Sequence, residues 1–342
     1  MSGGVDSAVA ASILKRDAHE LVGVTFLFDG GQASRFGAES AASICGMLGI
    51  PHWVVDLSQR YEELVAAKVV EDYAAGLEPS VPVIATSRLL MPALFEMAKE
   101  LKLRFVATGH YARVVSESST TDAYPLRLMR AADKCFDQSF LLHDLTQDQL
   151  NRLMFPLAGM HEMEVRVAAM REGLMMPQVP AGDNPYLFGG GPGLHLWLEQ
   201  RGAAMAAGEV VELSSGKVLG NHRGLHLHPL GSKVPFGDAG NPRYAVAKDA
   251  AHGRLYVGSE TQAAGETCQV RELVWTSIHP LKEKRSCRVR LERSANPMPV
   301  QLIPCGDDRL TMSFTLPIPG LASGKSVVFY SDDMVLGGGV IA

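Results

Sequence analysis

At 342 residues, with 46% hydrophobic and 20% charged residues, the chain carries apolar material for two or three domains of about 100–200 residues each. A formal net charge of −5 and a pI of about 6.1 argue against a bulk basic footprint for nucleic acid, while leaving room for a local patch. No run approaches the roughly 18 consecutive apolar residues of a membrane span, and no leader pattern opens the chain. The five cysteines Cys45, Cys135, Cys268, Cys287 and Cys305 are spread out with no CxxC spacing, so neither a zinc knuckle nor a disulfide framework is expected. A reducing, cytoplasmic setting fits this usage.

In chain order, residues 5–16 have helical periodicity, with Val9, Ala10 and Ile13 on one face. The apolar run 21–28 has strand length, 37–48 is helical, and Pro51 restarts the chain into a strand at 52–57. Helices are expected at 59–75 and 87–102, then a strand at 104–108. Strands alternating with helices of this length imply βαβ units and a parallel sheet. The polar segment 116–122 reads as a loop or hairpin turn, and the Gly- and Pro-rich segment 182–193 as a functional loop between the two halves. From about residue 207, short β-branched runs at 209–213, 245–248, 254–257, 268–275, 288–292, 309–314 and 326–330 are separated by Gly, Pro and Asn, an all-β pattern.

The strongest chemical signal is SGGVDS at 2–7. Glycines let the backbone approach an anion, and Ser2, Ser7 and the free N–H groups of a helix start complete an anion cradle. A plain Ser/Asp helix cap beside flexible glycines is the competing reading. Asp6 could help hold Mg²⁺ on the phosphates, since that ion takes hard oxygen ligands.

Seven further segments occur in order: LGIPH at 48–52 leading to VVD at 54–56, TGHYAR at 108–113, DQSFL at 137–141, GKVLGNHRG at 216–224, RYAVAKD at 243–249, VVFY at 327–330 and VLGGGVI at 335–341. With SGGVDS, they make the chain resemble the tRNA-specific 2-thiouridylase family of PP-loop ATP pyrophosphatases over nearly its whole length. The resemblance implies an α/β PP-loop domain at 1–205, a small central β domain at 206–266 and a C-terminal β-barrel at 267–342. It implies ATP with Mg²⁺, adenylation of a tRNA uridine at O2 with release of pyrophosphate, then sulfur delivery by a cysteine persulfide. By the same resemblance, Ser2, Gly3, Gly4, Asp6 and Ser7 would hold phosphates. Thr25, Phe26 and Leu27 would line the adenine, Gly109 would sit against the nucleotide, and Gln138 and Ser139 would lie at the tRNA–nucleotide junction. Thr25, Phe26 and Leu27 also read as plain strand core, His110 as a structural hydrogen-bonder and Tyr111 as a packing residue. In this family a buried strand precedes the PP-loop; here Met1 stands where that strand would end.

The chain departs from the family's pattern where sulfur is carried. In the loop aligned at 79–86, Pro82 replaces the first family position and Ala85 the catalytic cysteine. In the segment 182–188, Leu187 replaces the second cysteine. Neither Ala nor Leu can be a thiolate, carry a persulfide or ligate an iron–sulfur cluster. Phe136 stands in place of a lysine, and HPLGSK at 228–233 in place of YTIGQR. Cys135, two residues before Asp137, is a candidate relocated nucleophile; a partly buried free thiol is the alternative. Cys45, Cys268, Cys287 and Cys305 read as packing residues, and His222, His226 and His228 as structural in preference to metal-binding. Three functional readings remain open. The chain could be a thiouridylase-like transferase with another sulfur source, an ATP-dependent adenylating or amide-forming enzyme on a different acceptor, or a non-catalytic nucleotide- or RNA-binding paralogue. tRNA is the expected partner; a sulfur-relay protein is not expected, and nothing in the sequence bears on the oligomeric state.

Overall fold

In the computed structural model, residues 1–29, 31–116, 123–174, 193–202, 207–238, 241–292, 296–306 and 308–342 are described. Helix α1 (Val5–Arg16) starts at Gly4, whose extended backbone (φ −88°, ψ 166°) caps the helix without help from a side chain. Ala8, Val9, Ala10 and Leu14 are buried along it, and Lys15 and Arg16 complement the negative end of its dipole. Strand β1 (Gly23–Leu27) leads to helix α2 (Gln32–Leu48), which Gly49 ends in the left-handed conformation. Strand β2 (His52–Asp56) then pairs parallel with β1, from Gly23↔His52 to Leu27↔Asp56. Helix α3 runs from 58 to 74 with a π turn at Glu62–Ala66.

Helix α4 (Val81–Glu100) corrects the sequence reading. The segment 79–86 was expected to be a loop ahead of a helix at 87–102; instead the helix already begins at Val81. Pro82 sits in its first turn, where the missing N–H costs nothing. Pro92 would break a regular helix, but the π turn Thr86–Leu90 lies just before it and absorbs the mismatch. This 20-residue helix is apolar enough by composition to cross a membrane. Its side chains are spent on protein cores instead: Val81, Ala85, Leu89 and Ala93 pack with Tyr61, Val65 and Trp197, and Val83, Met91 and Ala98 with Phe140 and Leu142.

The strand expected at 104–108 shrinks to β3 (Val106–Ala107), which pairs parallel with β6 (Leu153–Met154). Among the described residues the parallel sheet is therefore two separate ladders, β1–β2 and β3–β6. Strands β4 (Ala112–Ser116) and β5 (Leu126–Arg130), which the sequence reading did not name, form an antiparallel hairpin around the segment read as a loop or hairpin turn. The turn between them, 117–122, lies outside the described residues.

The second half is all β. Strands β7 (Gly208–Glu212), β8 (Val218–His222), β9 (Lys233–Asp238), β10 (Asn241–Asp249) and β11 (Arg254–Gly258) form one sheet in the order β8-β7-β11-β10-β9. Strands β12 (Ala264–Trp275), β13 (Arg285–Arg290), β14 (Met298–Pro304), β15 (Leu310–Pro319), β16 (Ser326–Ser331) and β17 (Met334–Ile341) close a barrel through the β12–β17 pairing. The β4–β5 hairpin extends this sheet beyond β17 by the pair Met129↔Met334.

Strands β16 and β17 are thus buried on both faces. Val327, Phe329 and Leu336 enter the barrel core, while Val328, Tyr330 and Val335 pack against Leu128 and Phe140 of the α/β half. A Cβ on Gly338 would stand 2.3 Å from the His143 ring and 2.4 Å from the Val327 carbonyl, which explains why glycine occupies the VLGGGVI run there. At the same junction lies a buried ionic network. The Asp137 carboxylate accepts from the Arg290 guanidinium at 2.6 Å, Arg130 Nε at 3.3 Å, the Ala131 N–H at 3.0 Å and the Ser139 hydroxyl at 3.0 Å.

Candidate active site

The N-terminal turn of α1 opens into a cavity of about 1010 Å³. Its mouth is formed by Ser2, Gly3, Gly4, Asp6 and Ser7 with Thr108, Gly109, His110 and Gln138; its deeper wall is apolar, from Ala10, Leu14, Leu94, Met97 and Leu103 between β1 and β3. Gly4 leaves the first N–H groups of α1 uncapped by side chains, the arrangement that favours an anion. The Ser2 and Ser7 hydroxyls stand 3.1 Å apart, and Ser7 Oγ also donates to the Gly4 carbonyl at 3.0 Å.

Two glycines are sterically required. Gly3 has φ +79°, and a Cβ there would sit 2.3 Å from the Gly37 carbonyl oxygen of α2. A Cβ on Gly109 would lie 2.9 Å from the backbone of Asp6 and Ser7. The loop is therefore clamped backbone to backbone between α2 and the end of β3.

Asp6 accepts a hydrogen bond from the Tyr111 hydroxyl at 2.9 Å. Burial raises its carboxyl above the usual range; the Tyr111 bond opposes this, Glu162 adds to it and Arg166 works against it. Tyr111, read from the sequence as a packing residue, is buried and also positions Asp6. Gln138 is fixed beside it, its side-chain carbonyl accepting from the Tyr111 N–H at 3.1 Å. His110 pairs through Nδ1 with the Thr108 hydroxyl at 3.0 Å. Thr25 is buried, its hydroxyl donating to the Met1 carbonyl at 2.6 Å and lying 2.8 Å from His52 Nε2. The Met1 amine donates to the Val24 carbonyl, and burial lowers its pKa to about 6.

Most of the sequence candidates converge. Ser2, Gly3, Gly4, Asp6, Ser7, Thr25, Phe26, Gly109 and Gln138 all line the cavity; Leu27, Ser139 and Cys135 do not. Ser139 is fully buried, its hydroxyl shared between Asp137 and Tyr330. Cys135 is exposed, and Lys134 beside it is committed to the Asp333 carboxylate at 2.7 Å and the Ala131 carbonyl at 2.8 Å. The sequence reading missed Phe28, Ser34, Phe36, Gly37 and Ser40, which close the cavity from the α2 side. A glycine inside a helical pattern, Gly37, was the available signal of close backbone approach. Among the described residues no three His, Cys, Asp or Glu side chains gather to hold a metal.

Three family models match the chain in order: the tRNA methyl transferase HUP domain over 1–182, the tRNA methyl transferase PRC-barrel domain over 197–259 and the aminomethyltransferase β-barrel domain over 265–341. The tRNA-specific 2-thiouridylase MnmA of Thermosynechococcus vestitus is 35% identical over 100% of this chain and 92% of its own length. The chain belongs to the tRNA-specific 2-thiouridylase family. The MnmA of a Nostoc species is 34% identical over 100% of this chain and 97% of its own length. Among solved structures, the U34-tRNA thiolase NcsA of Methanococcus maripaludis is similar at a TM-score of 0.35 and 16% identity, covering 54% of this chain and 59% of its own.

Against the 2-thiouridylase pattern, Ala85 lies within α4, 2% exposed and packed among Tyr61, Val65 and Leu89. The second position, Leu187, lies outside the described residues. The remaining thiols are ordinary: Cys45 is buried, and burial pushes Cys268 up to about 11 and Cys287 up to about 12.

Proposed function

We propose that this chain binds ATP with Mg²⁺ and adenylates a tRNA uridine, releasing pyrophosphate, in the cytoplasm, and that it does not deliver sulfur by a two-cysteine persulfide route. The carrying observation is the uncapped N-terminus of α1, clamped by Gly3 and Gly109 and flanked by Ser2, Asp6 and Ser7. In this reading the α1 N–H groups and the two hydroxyls hold the triphosphate, and Asp6, kept in place by Tyr111, shares the metal. The uridine O2 attacks the α-phosphorus as N3 gives up its proton to solvent and C2=N3 forms; the new P–O bond forms as the bond to the bridging oxygen breaks, and the electron pair leaves on pyrophosphate. Such chemistry asks for positioning and charge neutralisation, not for a nucleophilic side chain. The units at 1–205, 206–266 and 267–342 would divide the work between nucleotide handling and RNA contact.

The doubt about sulfur rests on Ala85. It is buried in a helix, so the site offers neither a sulfur atom nor an exposed loop on which to carry one. The cation next to Cys135 in the chain, Lys134, is tied to Asp333 and is not available to the thiol.

The test is incubation with Mg²⁺, tRNA and ATP labelled at the α- or γ-phosphate, followed by nucleoside mass spectrometry. tRNA-dependent pyrophosphate release without 2-thiouridine is expected. Absence of ATP binding by calorimetry overturns the reading, and 2-thiouridine formation that survives Cys135→Ser overturns its sulfur clause.

A further inference from the structure

Strand β2 is paired on one side only. Its ladder to β1 fixes the direction of every backbone group. The Gly23 N–H donates to the Pro51 carbonyl at 2.8 Å and the Leu57 N–H to the Leu27 carbonyl at 2.7 Å, so odd-numbered residues face β1. Because backbone groups alternate along a strand, the N–H and C=O of His52, Val54 and Asp56 face the other way. Among the described residues no strand pairs there. Trp53 is 52% exposed and Val54 48%. Along His52–Asp56 there is no lysine, no proline and no bulge in the ladder to β1, and its one carboxylate, Asp56, stands at the end of the strand.

We propose that this edge is a homodimer interface, in which two copies of β2 pair antiparallel about a two-fold axis through Val54. The outward-facing set His52, Val54, Asp56 is self-complementary when reversed. Val54 meets Val54 of the partner subunit, and His52 meets Asp56 of the partner subunit at both ends, an imidazole against a carboxylate with no like charges opposed. All three pairs are of the hydrogen-bonded kind, each exchanging two bonds, about six in total. Between them Trp53 meets Val55 of the partner subunit, an aromatic against a β-branched side chain on one face of the joined sheet. This complementarity under reversal selects a second copy as the occupant, and the two-fold contact closes on itself without propagating. An edge-to-edge contact buries little area, so the dimer is weak and concentration-dependent. None of this rests on the nucleotide reading.

Sedimentation velocity of the full chain over a wide concentration range is the test. Reversible growth toward twice the 36.8 kDa chain mass is expected. Val54→Pro removes an outward N–H while leaving the β1 ladder intact, a substitution that edge strands tolerate. It should shift the protein to monomer with an unchanged melting temperature. To keep the test independent of that variant's folding, Val54→Cys in a C135S/C305S background, free of the exposed thiols, should form a covalent dimer with a short bis-maleimide. A monomer at every concentration, dimerisation of a folded V54P equal to wild type, or no covalent V54C dimer would each overturn the proposal.

Discussion

Replacing Asp137 tests how the two halves of the molecule are joined. Its carboxylate is fully buried and is the counter-charge for Arg290, a side chain only 3% exposed and 2.6 Å away. Asp137→Ala leaves that guanidinium buried and unpaired between the Phe140 and Tyr330 rings, and strips partners from the Ala131 and Ser139 N–H groups. Breaking one side of a buried ion pair costs about 3–5 kcal/mol, and each orphaned buried N–H adds about 1–3 kcal/mol. Asp137→Asn retains an acceptor for the backbone and should cost less than Asp137→Ala. If the unpaired charge dominates, adding Arg290→Met to Asp137→Ala should recover part of the loss, because the second change removes the stranded cation. Urea unfolding of the four proteins, followed by tryptophan fluorescence and far-UV circular dichroism, gives the coupling directly. Additive losses for Asp137→Ala and Arg290→Met, with no recovery in the double variant, would refute the reasoning.

Gly3→Ala must accommodate a Cβ 2.3 Å from the Gly37 carbonyl at φ +79°, a conformation costing an L-residue roughly 1–2 kcal/mol. ATP affinity by calorimetry should fall about tenfold or more, with a smaller effect on melting temperature; unchanged affinity would separate the loop from nucleotide binding. Burial lowers the pKa of His226, which faces Glu199, His195 and Lys248, and of His228, beside His222. Both therefore favour the folded state above their ordinary value of 6.5, and stability should drop as the pH falls below it and the unfolded chain takes up more protons. Melting temperatures from pH 7.5 to 5 should show this loss, reduced in a His226→Gln, His228→Gln protein. Under native conditions a maleimide should label Cys135 and Cys305 quickly and Cys45, Cys268 and Cys287 slowly, since the last three are raised by burial. Peptide mass spectrometry reads the order.

The run at 2–7 announced its own helix start, because glycine, serine and aspartate there act through backbone geometry and hydroxyls that are local in sequence. Gly109 and Gln138 came from ordered motifs, and the cavity brings them to the same mouth. What failed was non-local. Ser139 lies in a motif beside Gln138 yet turns away from the cavity, because Asp137 is claimed by Arg290, 153 residues distant in sequence. The helix start at Val81 was hidden by Pro79 and Pro82, which read as loop punctuation until Pro82 is seen in the first turn of the helix. Strands β4 and β5 went unread as strands, and the place of their hairpin could not be read locally, because β5 joins the sheet through β17, more than 200 residues on, and no local alternation reports a distant edge.

That partnership has a consequence for how the protein is made. The hairpin at 112–130 leaves the ribosome long before β17, the strand it pairs with, since β17 follows every other strand in sequence. Until then the open side of β5, and the part of the Leu128 and Phe140 cluster that Val328, Tyr330 and Val335 complete, have nothing to lie against. The α/β half therefore waits, partly unsealed, through synthesis of the whole β half, and interruption near residue 330 would strand it in that state. A nascent chain stalled there should be a far better chaperone client than one released a dozen residues later, an imbalance of vectorial folding that a domain-by-domain view would miss.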